Sequence, residues 1–182
     1  MEDWLPEERD LLQALDRATR QEPILTLVGS AALRLERELV GDPHAVMAWE
    51  PLSLEPFGGE LPGAIRSSWV FILRAGSSTG AERHPNSHQR TLSYRGSGDL
   101  QVRIGDRWRS RPLESGLDKP MERRWASIPP NVWHQAVVPD RHWVVLSFHT
   151  VPEHELIEER ADAVDAQRMQ RRRYVDRPPE DR

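Results

Sequence analysis

The stretch ERHPNSHQRTLSYRGSGDLQV, residues 82–102, places a carboxylate and two histidines directly before a strand-like segment. The whole chain contains only seven histidines, so two of them near Glu82 form a concentrated group of metal-ligand side chains. Residues two apart on a strand point to the same face, which puts Glu82 and His84 together. The glycines of RGSGD then allow the tight turn of a hairpin. We therefore predict a partial metal site beside a β-hairpin.

Strand signals continue on both sides of this stretch, from about residue 45 to residue 152. Short segments rich in β-branched and aromatic residues recur about every ten residues and are separated by Gly, Pro, Asp and Ser. They include SSWVFILRA, RWASI and HWVVLSFHT. Regular short strands without intervening helices predict an all-β sandwich or barrel for residues 45–152.

The two flanks have different patterns. In residues 1–44, PEERDLLQALDRA and PILTLVGSAALRLEREL carry apolar side chains at helical spacing and predict two helices. Residues 153–182 are strongly charged, and only a thin helical stripe that includes Ile157, Ala161 and Val164 is apolar. We expect one exposed helix followed by a disordered tail in this C-terminal part.

The composition limits the side chains that could bind a metal and the partners that we expect. The chain has 182 residues and no cysteine, so we expect one domain in which imidazole, carboxylate or amide oxygen would hold any metal. The net charge of −4 and the scattered arginines argue against nucleic-acid binding. No apolar run approaches the length of a membrane span, and the N-terminus is acidic. We expect no membrane partner and a cytoplasmic location.

A second motif lies downstream, where PPNVWHQAVV, residues 129–138, puts His134 at the start of another strand. Together the two stretches resemble the two motifs of the cupin superfamily over roughly residues 66–150. The first cupin motif reads Gly, five residues, His-x-His, three or four residues, Glu, six residues, Gly. The second reads Pro-x-Gly-x-x-His. The chain's counterparts are Gly76, Glu82-x-His84, His88 or Gln89, Gly96, and PPNVWH at residues 129–134.

The chain departs from this pattern at three of the quoted positions, and Val138 stands where the second motif of the family has a trailing asparagine. Glu82 replaces the first histidine, and Asn131 replaces the glycine of the second motif, where it tolerates the same left-handed backbone. The family glutamate falls on either His88 or Gln89. We favour His88 because neutral imidazole is a better ligand than an amide, which gives the set Glu82, His84, His88 and His134. Gln89 stays open, because adjacent residues of a strand face opposite sides.

Four residues are candidates for catalysis beside the metal. Glu82 could act as a general base instead of a ligand. His149 could hydrogen-bond a ligand or the substrate, or make a structural hydrogen bond. Arg90 could hold a substrate carboxylate with two hydrogen bonds. Tyr94 could donate a proton from its hydroxyl, or simply pack.

The resemblance implies a cupin-type jelly-roll β-barrel with N-terminal helices and a C-terminal helix, often as a homodimer. It further implies a metal-dependent enzyme acting on a small polar organic metabolite, first of all a dioxygenase. One divalent transition metal is expected, iron before manganese, nickel or zinc. Because a fold does not determine a function, two alternatives stay open: a non-catalytic small-molecule binding or sensing cupin, and a metal-free isomerase using His84 or His134.

Overall fold

The computed structural model describes residues 4–161 and 169–176. The described residues contain three α-helices: α1 (Pro6–Ala18), α2 (Glu22–Gly41) and α3 (Met121–Arg124). The first two confirm the N-terminal helices expected from the sequence. Both begin with a proline in the first turn, where the missing N–H costs no hydrogen bond. No helix within the described ranges is both long and apolar enough to cross a membrane.

Most of the other elements are β-strands. In chain order they are β1 (Met47–Pro51), β2 (Ser67–Leu73), β3 (Glu82–Arg83), β4 (Gln89–Arg95), β5 (Ser97–Ile104), β6 (Arg107–Arg109), β7 (Pro112–Glu114), β8 (Trp125–Ile128), β9 (His134–Val137), β10 (Trp143–His149), β11 (Ile157–Ala161) and β12 (Met169–Arg173). The first sheet has the order β1–β2–β10–β4–β8. The second has the order β12–β11–β3–β9–β5–β6, with β7 also paired to β5. All of these pairings are antiparallel.

Strand β10 shows how the layers pack. Its seven residues are all buried, because the first sheet is covered on both faces. Val144, Leu146 and Phe148 pack in the core that the first sheet shares with α1 and α2. Trp143 and Val145 point the opposite way, into the core between the two sheets. The molecule therefore has three layers: helices, first sheet and second sheet.

The predicted jelly roll of β-strands is confirmed, but the predicted closure of its strands into a barrel is not seen. Within the described residues the strands form two separate facing sheets and do not close into a barrel. The space between the two inner faces takes the place of a barrel interior.

The predicted C-terminal helix is wrong for the described part of residues 153–176, where the chain forms β11 and β12. β11 pairs with β12 on one side and with β3 on the other. Glu158 is 0% exposed and Glu159 is 3% exposed, and their carboxylates bind arginines on the neighbouring strands. These contacts join residues far apart in the chain, so the local charge pattern could not indicate them. Residues 162–168 and 177–182, which belong to the segment 153–182 where a helix and a disordered tail were expected, lie outside the described residues.

Candidate metal centre

Strand pairing brings the two sequence motifs together. Glu82 on β3 lies directly opposite His134 on β9. His84 follows β3, and its carbonyl accepts a hydrogen bond of 3.1 Å from the backbone N–H of Asn131. Asn131 has a φ of 65°, the left-handed conformation expected at the glycine position of the second motif. The backbone thus places Glu82, His84 and His134 in one region.

The side chains of these three residues converge. Each offers one ligand atom, and the three atoms lie within 4.8 Å of one another. Nε2 of His134 is 3.7 Å from Oε1 of Glu82, which is too long for a hydrogen bond. His84 is 4% exposed and His134 is 2% exposed. Among the described residues, the buried Nε2 of His134 has no hydrogen-bond partner. The donor set and its spacing suit a metal ion.

Both histidines are oriented by backbone carbonyl groups. Nδ1 of His84 lies 3.0 Å from the carbonyl oxygen of Ile157, and Nδ1 of His134 lies 3.0 Å from that of Val132. A carbonyl oxygen only accepts, so each Nδ1 carries a proton, and in the neutral imidazole each Nε2 then presents a lone pair. Metal-binding histidines are commonly held in this way.

No protein-family model matches the sequence, and no curated protein matches it. Solved structures do match. A pumpkin seed globulin is 18% identical with a TM-score of 0.51, covering 68% of this chain and 30% of the globulin. Oxalate oxidase in complex with the substrate analogue glycolate is 16% identical with a TM-score of 0.44, covering 58% of this chain and 51% of the oxidase. A Lactobacillus farciminis oxalate decarboxylase formate complex is 14% identical with a TM-score of 0.45, covering 59% of this chain and 29% of the decarboxylase.

The globulin and the oxalate enzymes are cupin-fold proteins. This chain has the cupin fold. It spans at most about half the length of the three proteins that it matches. The likeness to the globulin concerns the arrangement of strands, and the chemistry of the site depends on this chain's own residues.

The structure places His88 and Gln89, the two residues left open by the first motif, on opposite sides of the first sheet. Gln89, at the start of β4, lines the space between the sheets. Its Nε2 donates to Oγ1 of Thr91 at 3.0 Å, while its buried Oε1 has no partner within the described part of the chain. His88 points to the helix side, so the structure corrects its expected role as a ligand. Its Nε2 is 2.7 Å from Oγ of Ser127, and its Nδ1 accepts from Arg90 at 3.2 Å.

Arg90 and Tyr94 also lie on the helix side, and the structure corrects both expectations. Arg90 donates two hydrogen bonds to Glu8 of α1, at 2.9 and 2.8 Å. The Tyr94 hydroxyl donates to the carbonyl of Leu25 in α2 at 3.4 Å. These two side chains attach the helices to the first sheet and do not reach the space between the sheets.

His149 lies beside the three candidate ligands. Its ring centroid is 5.1 Å from that of His84, and the two rings are nearly perpendicular. Its Nε2 lies 2.6 Å from Oγ of Ser147, and its Nδ1 lies 3.2 Å from Oγ of Ser87. Burial, and after it the charges of His84 and His134, lowers the pKa of His149 well below its ordinary value. His149 is therefore a neutral hydrogen-bonding neighbour of the site at neutral pH.

A small cavity opens next to these residues, between the two sheets. Its volume is about 40 Å³, which is room for a few water molecules. Glu82, Gln89 and His134 line it together with three hydroxyl groups, those of Thr79, Thr91 and Ser147. Apolar side chains such as Phe71, Leu100 and Trp143 complete the walls. Ser147 was not among the residues predicted from the sequence, although it shares a strand face with His149 by the period of two residues.

Arg160 is the second neighbour that the sequence analysis missed. Its Nη2 donates to Oε2 of Glu82 at 2.7 Å, and its Nη1 donates to the carbonyl of Thr79 at 3.2 Å. From the sequence, Arg160 was expected in an exposed helix, where no pattern would connect it with Glu82. Only the pairing of β11 with β3 does so.

Proposed function

We propose that this chain is a metal-dependent cupin enzyme that binds one divalent transition metal through Glu82, His84 and His134. Its substrate would be a small polar organic metabolite, and dioxygenase chemistry is the first reaction to test. The observation that carries the proposal is the buried Nε2 of His134. This atom lies 3.7 Å from Oε1 of Glu82, and it has no hydrogen-bond partner among the described residues. Proteins rarely leave a buried acceptor unpaired, and a metal ion would supply the missing partner.

The set of donors favours iron. Two imidazoles and one carboxylate form the ligand set of many non-haem iron(II) oxygenases, and they leave coordination positions open for other molecules. Manganese, nickel and zinc accept the same donors, so they belong in the test. When bound, the metal would supply Lewis-acid and oxygen-activating chemistry.

The other cavity residues would orient the substrate. Thr79, Thr91 and Ser147 offer hydroxyls, and the unpartnered Oε1 of Gln89 offers an acceptor. Ser147 is held in place by its hydrogen bond with His149. The described lining contains no lysine or arginine, so a carboxylate group of the substrate would find no cationic side chain there. The apolar walls would lower the local dielectric constant, which would strengthen electrostatic interactions inside the cavity.

Metal content per chain tests this proposal. We would purify the protein without a histidine tag, reconstitute it with iron(II), manganese, nickel or zinc, and measure bound metal by elemental mass spectrometry. We expect near one equivalent in the wild type and in His88→Ala, and loss of the metal in His134→Ala. Oxygen uptake with candidate substrates would follow. Wild-type protein that binds none of the four metals would rule the proposal out.

The small and largely apolar cavity favours a non-catalytic binding or sensing cupin as the second candidate. Such a module would show ligand-dependent thermal stabilisation without oxygen uptake or product. A metal-free isomerase would keep its activity after chelation. The expected homodimer stays a prediction, which sedimentation equilibrium would test.

A further inference from the structure

One strand contacts two of the three proposed ligands. The carbonyl of Ile157, at the start of β11, accepts the Nδ1 hydrogen bond of His84 at 3.0 Å. Arg160, near the end of β11, lies directly opposite Glu82 in the pairing with β3. Its guanidinium binds Oε2 of Glu82 at 2.7 Å. Strand β11 therefore holds the side chains of His84 and Glu82 from the side of the second sheet's β12 edge.

Arg160 is itself held in place. Its Nη1 donates to the Thr79 carbonyl at 3.2 Å, and its Nε lies 3.2 Å from Oε1 of Glu158. Glu158 is 0% exposed, and its Oε2 accepts from Nε of Arg172 on β12 at 3.0 Å. The four side chains alternate in charge from Glu82 to Arg172. Such a buried, charge-assisted network restricts the orientation of each member.

Resting on the proposed metal site, we infer that Arg160 is a positioning residue for Glu82. It occupies Oε2 and leaves Oε1 directed toward Nε2 of His134, so that Glu82 would offer the metal a single oxygen. The guanidinium of Arg160 donates to Thr79 and Glu82, and its Nε lies 3.2 Å from Oε1 of Glu158, so Arg160 would not hold substrate. Partners of this kind commonly change metal affinity by about 10- to 100-fold when they are removed.

The same pair of strands supplies a matched control. Arg83 on β3 pairs with Glu159 on β11, and its Nε lies 2.7 Å from Oε2 of Glu159. The Arg83 guanidinium also lies 4.8 Å from the ring centroid of Trp133. None of the described contacts of Arg83 involves a candidate ligand. Arg83→Gln therefore removes an ion pair of the same type from the same strands without touching the site.

Cobalt(II) titration of the metal-free protein tests the inference, because the visible d–d absorption reports both affinity and coordination. The wild type, Arg160→Gln, Arg160→Lys and Arg83→Gln would be compared, with a thermal melt for each. We expect Arg160→Gln to weaken cobalt binding by about 10- to 100-fold and to alter the absorption bands. Arg160→Lys should restore part of the affinity, and Arg83→Gln should match the wild type.

The outcomes separate the two proposals. If the wild type binds cobalt and Arg160→Gln gives the same affinity and spectrum, Arg160 has no positioning role. Equal losses in Arg160→Gln and Arg83→Gln would likewise overturn the inference, because they would mean that the strand pairing alone matters. A wild type that binds no metal would remove the proposed function itself, and this inference with it.

Discussion

Glu8 on α1 and Arg90 on β4 form an ion pair with two hydrogen bonds, of 2.9 and 2.8 Å. The Ser127 hydroxyl donates a third hydrogen bond to Glu8 at 2.6 Å. Burial by itself raises the pKa of Glu8, but the hydrogen bonds from Arg90 and Ser127 outweigh it, and the pKa lies below its ordinary value. The first helix is thus attached to the sheet by a carboxylate that must stay ionised.

This pair predicts a pH-dependent stability. A folded-state pKa below the unfolded value of about 4.3 stabilises the fold above that pH, and the contribution is lost as pH falls through the folded pKa. Glu8→Gln should cost about 1–3 kcal/mol at neutral pH, and its difference from the wild type should shrink in acid. Thermal melts followed by circular dichroism from neutral to acidic pH would measure this. The exposed neighbour Glu7→Gln is the control; a pH-independent difference for Glu8→Gln would contradict the prediction.

A side chain added at Gly98 should clash with the core between the sheets. A Cβ atom added at this residue would lie 2.1 Å from Cε3 of Trp143, whose side chain is fully buried. Gly98→Ala should therefore destabilise the protein by at least about 1–3 kcal/mol, as overpacking does in other cores. Gly63→Ala is the matched control, because no atom lies within 4 Å of its added Cβ. Urea unfolding would compare the two; equal free energies of unfolding would show that Trp143 can move aside.

Substitution of Asn131 should change both the stability of the protein and its affinity for metal, because of the backbone conformation at this residue. Its φ of 65° suits asparagine and glycine but strains other residues. Asn131→Gly should be close to neutral, and Asn131→Ala should cost about 1–2 kcal/mol. Because the Asn131 N–H holds the His84 carbonyl, the alanine variant should also bind metal less tightly. Chemical denaturation and cobalt titration would measure both, and an alanine variant that behaves like glycine would contradict this account.

Gln89→Glu should lower the stability of the metal-free protein and raise the stability of the metal-bound protein. Gln89 is 8% exposed and lines the same cavity as Glu82, so a second carboxylate there would destabilise the metal-free fold. With metal, the added charge should tighten binding, because carboxylate is a far better ligand than a neutral amide. Melting temperatures should be lower than those of the wild type without cobalt, and cobalt should raise them by more than it raises those of the wild type. Gln135→Glu, next to His134 on β9, is the control, and a Gln89→Glu protein that gains nothing from metal would refute the prediction.

Much of the site could be predicted because its signals are local. Glu82 and His84 share a face by the period of two residues, and the Pro-Pro-Asn turn places His134 at the start of a strand. The choice between His88 and Gln89 could not be predicted in the same way. Both side chains are polar, and which one points inward depends on the layer of helices that covers the other face of β4.

The sequence by itself determined the β-rich fold, the two N-terminal helices and the two stretches that carry the candidate ligands, because strand period, helix period and turn residues are properties of neighbouring positions. The tertiary structure alone decided that β11 is a strand, that Arg160 reaches Glu82, and that Arg90 binds Glu8 instead of lining the cavity. Each of these depends on strand pairing or an ion pair between residues distant in the chain. Their partners are set by strand register and layer packing, which no local pattern records.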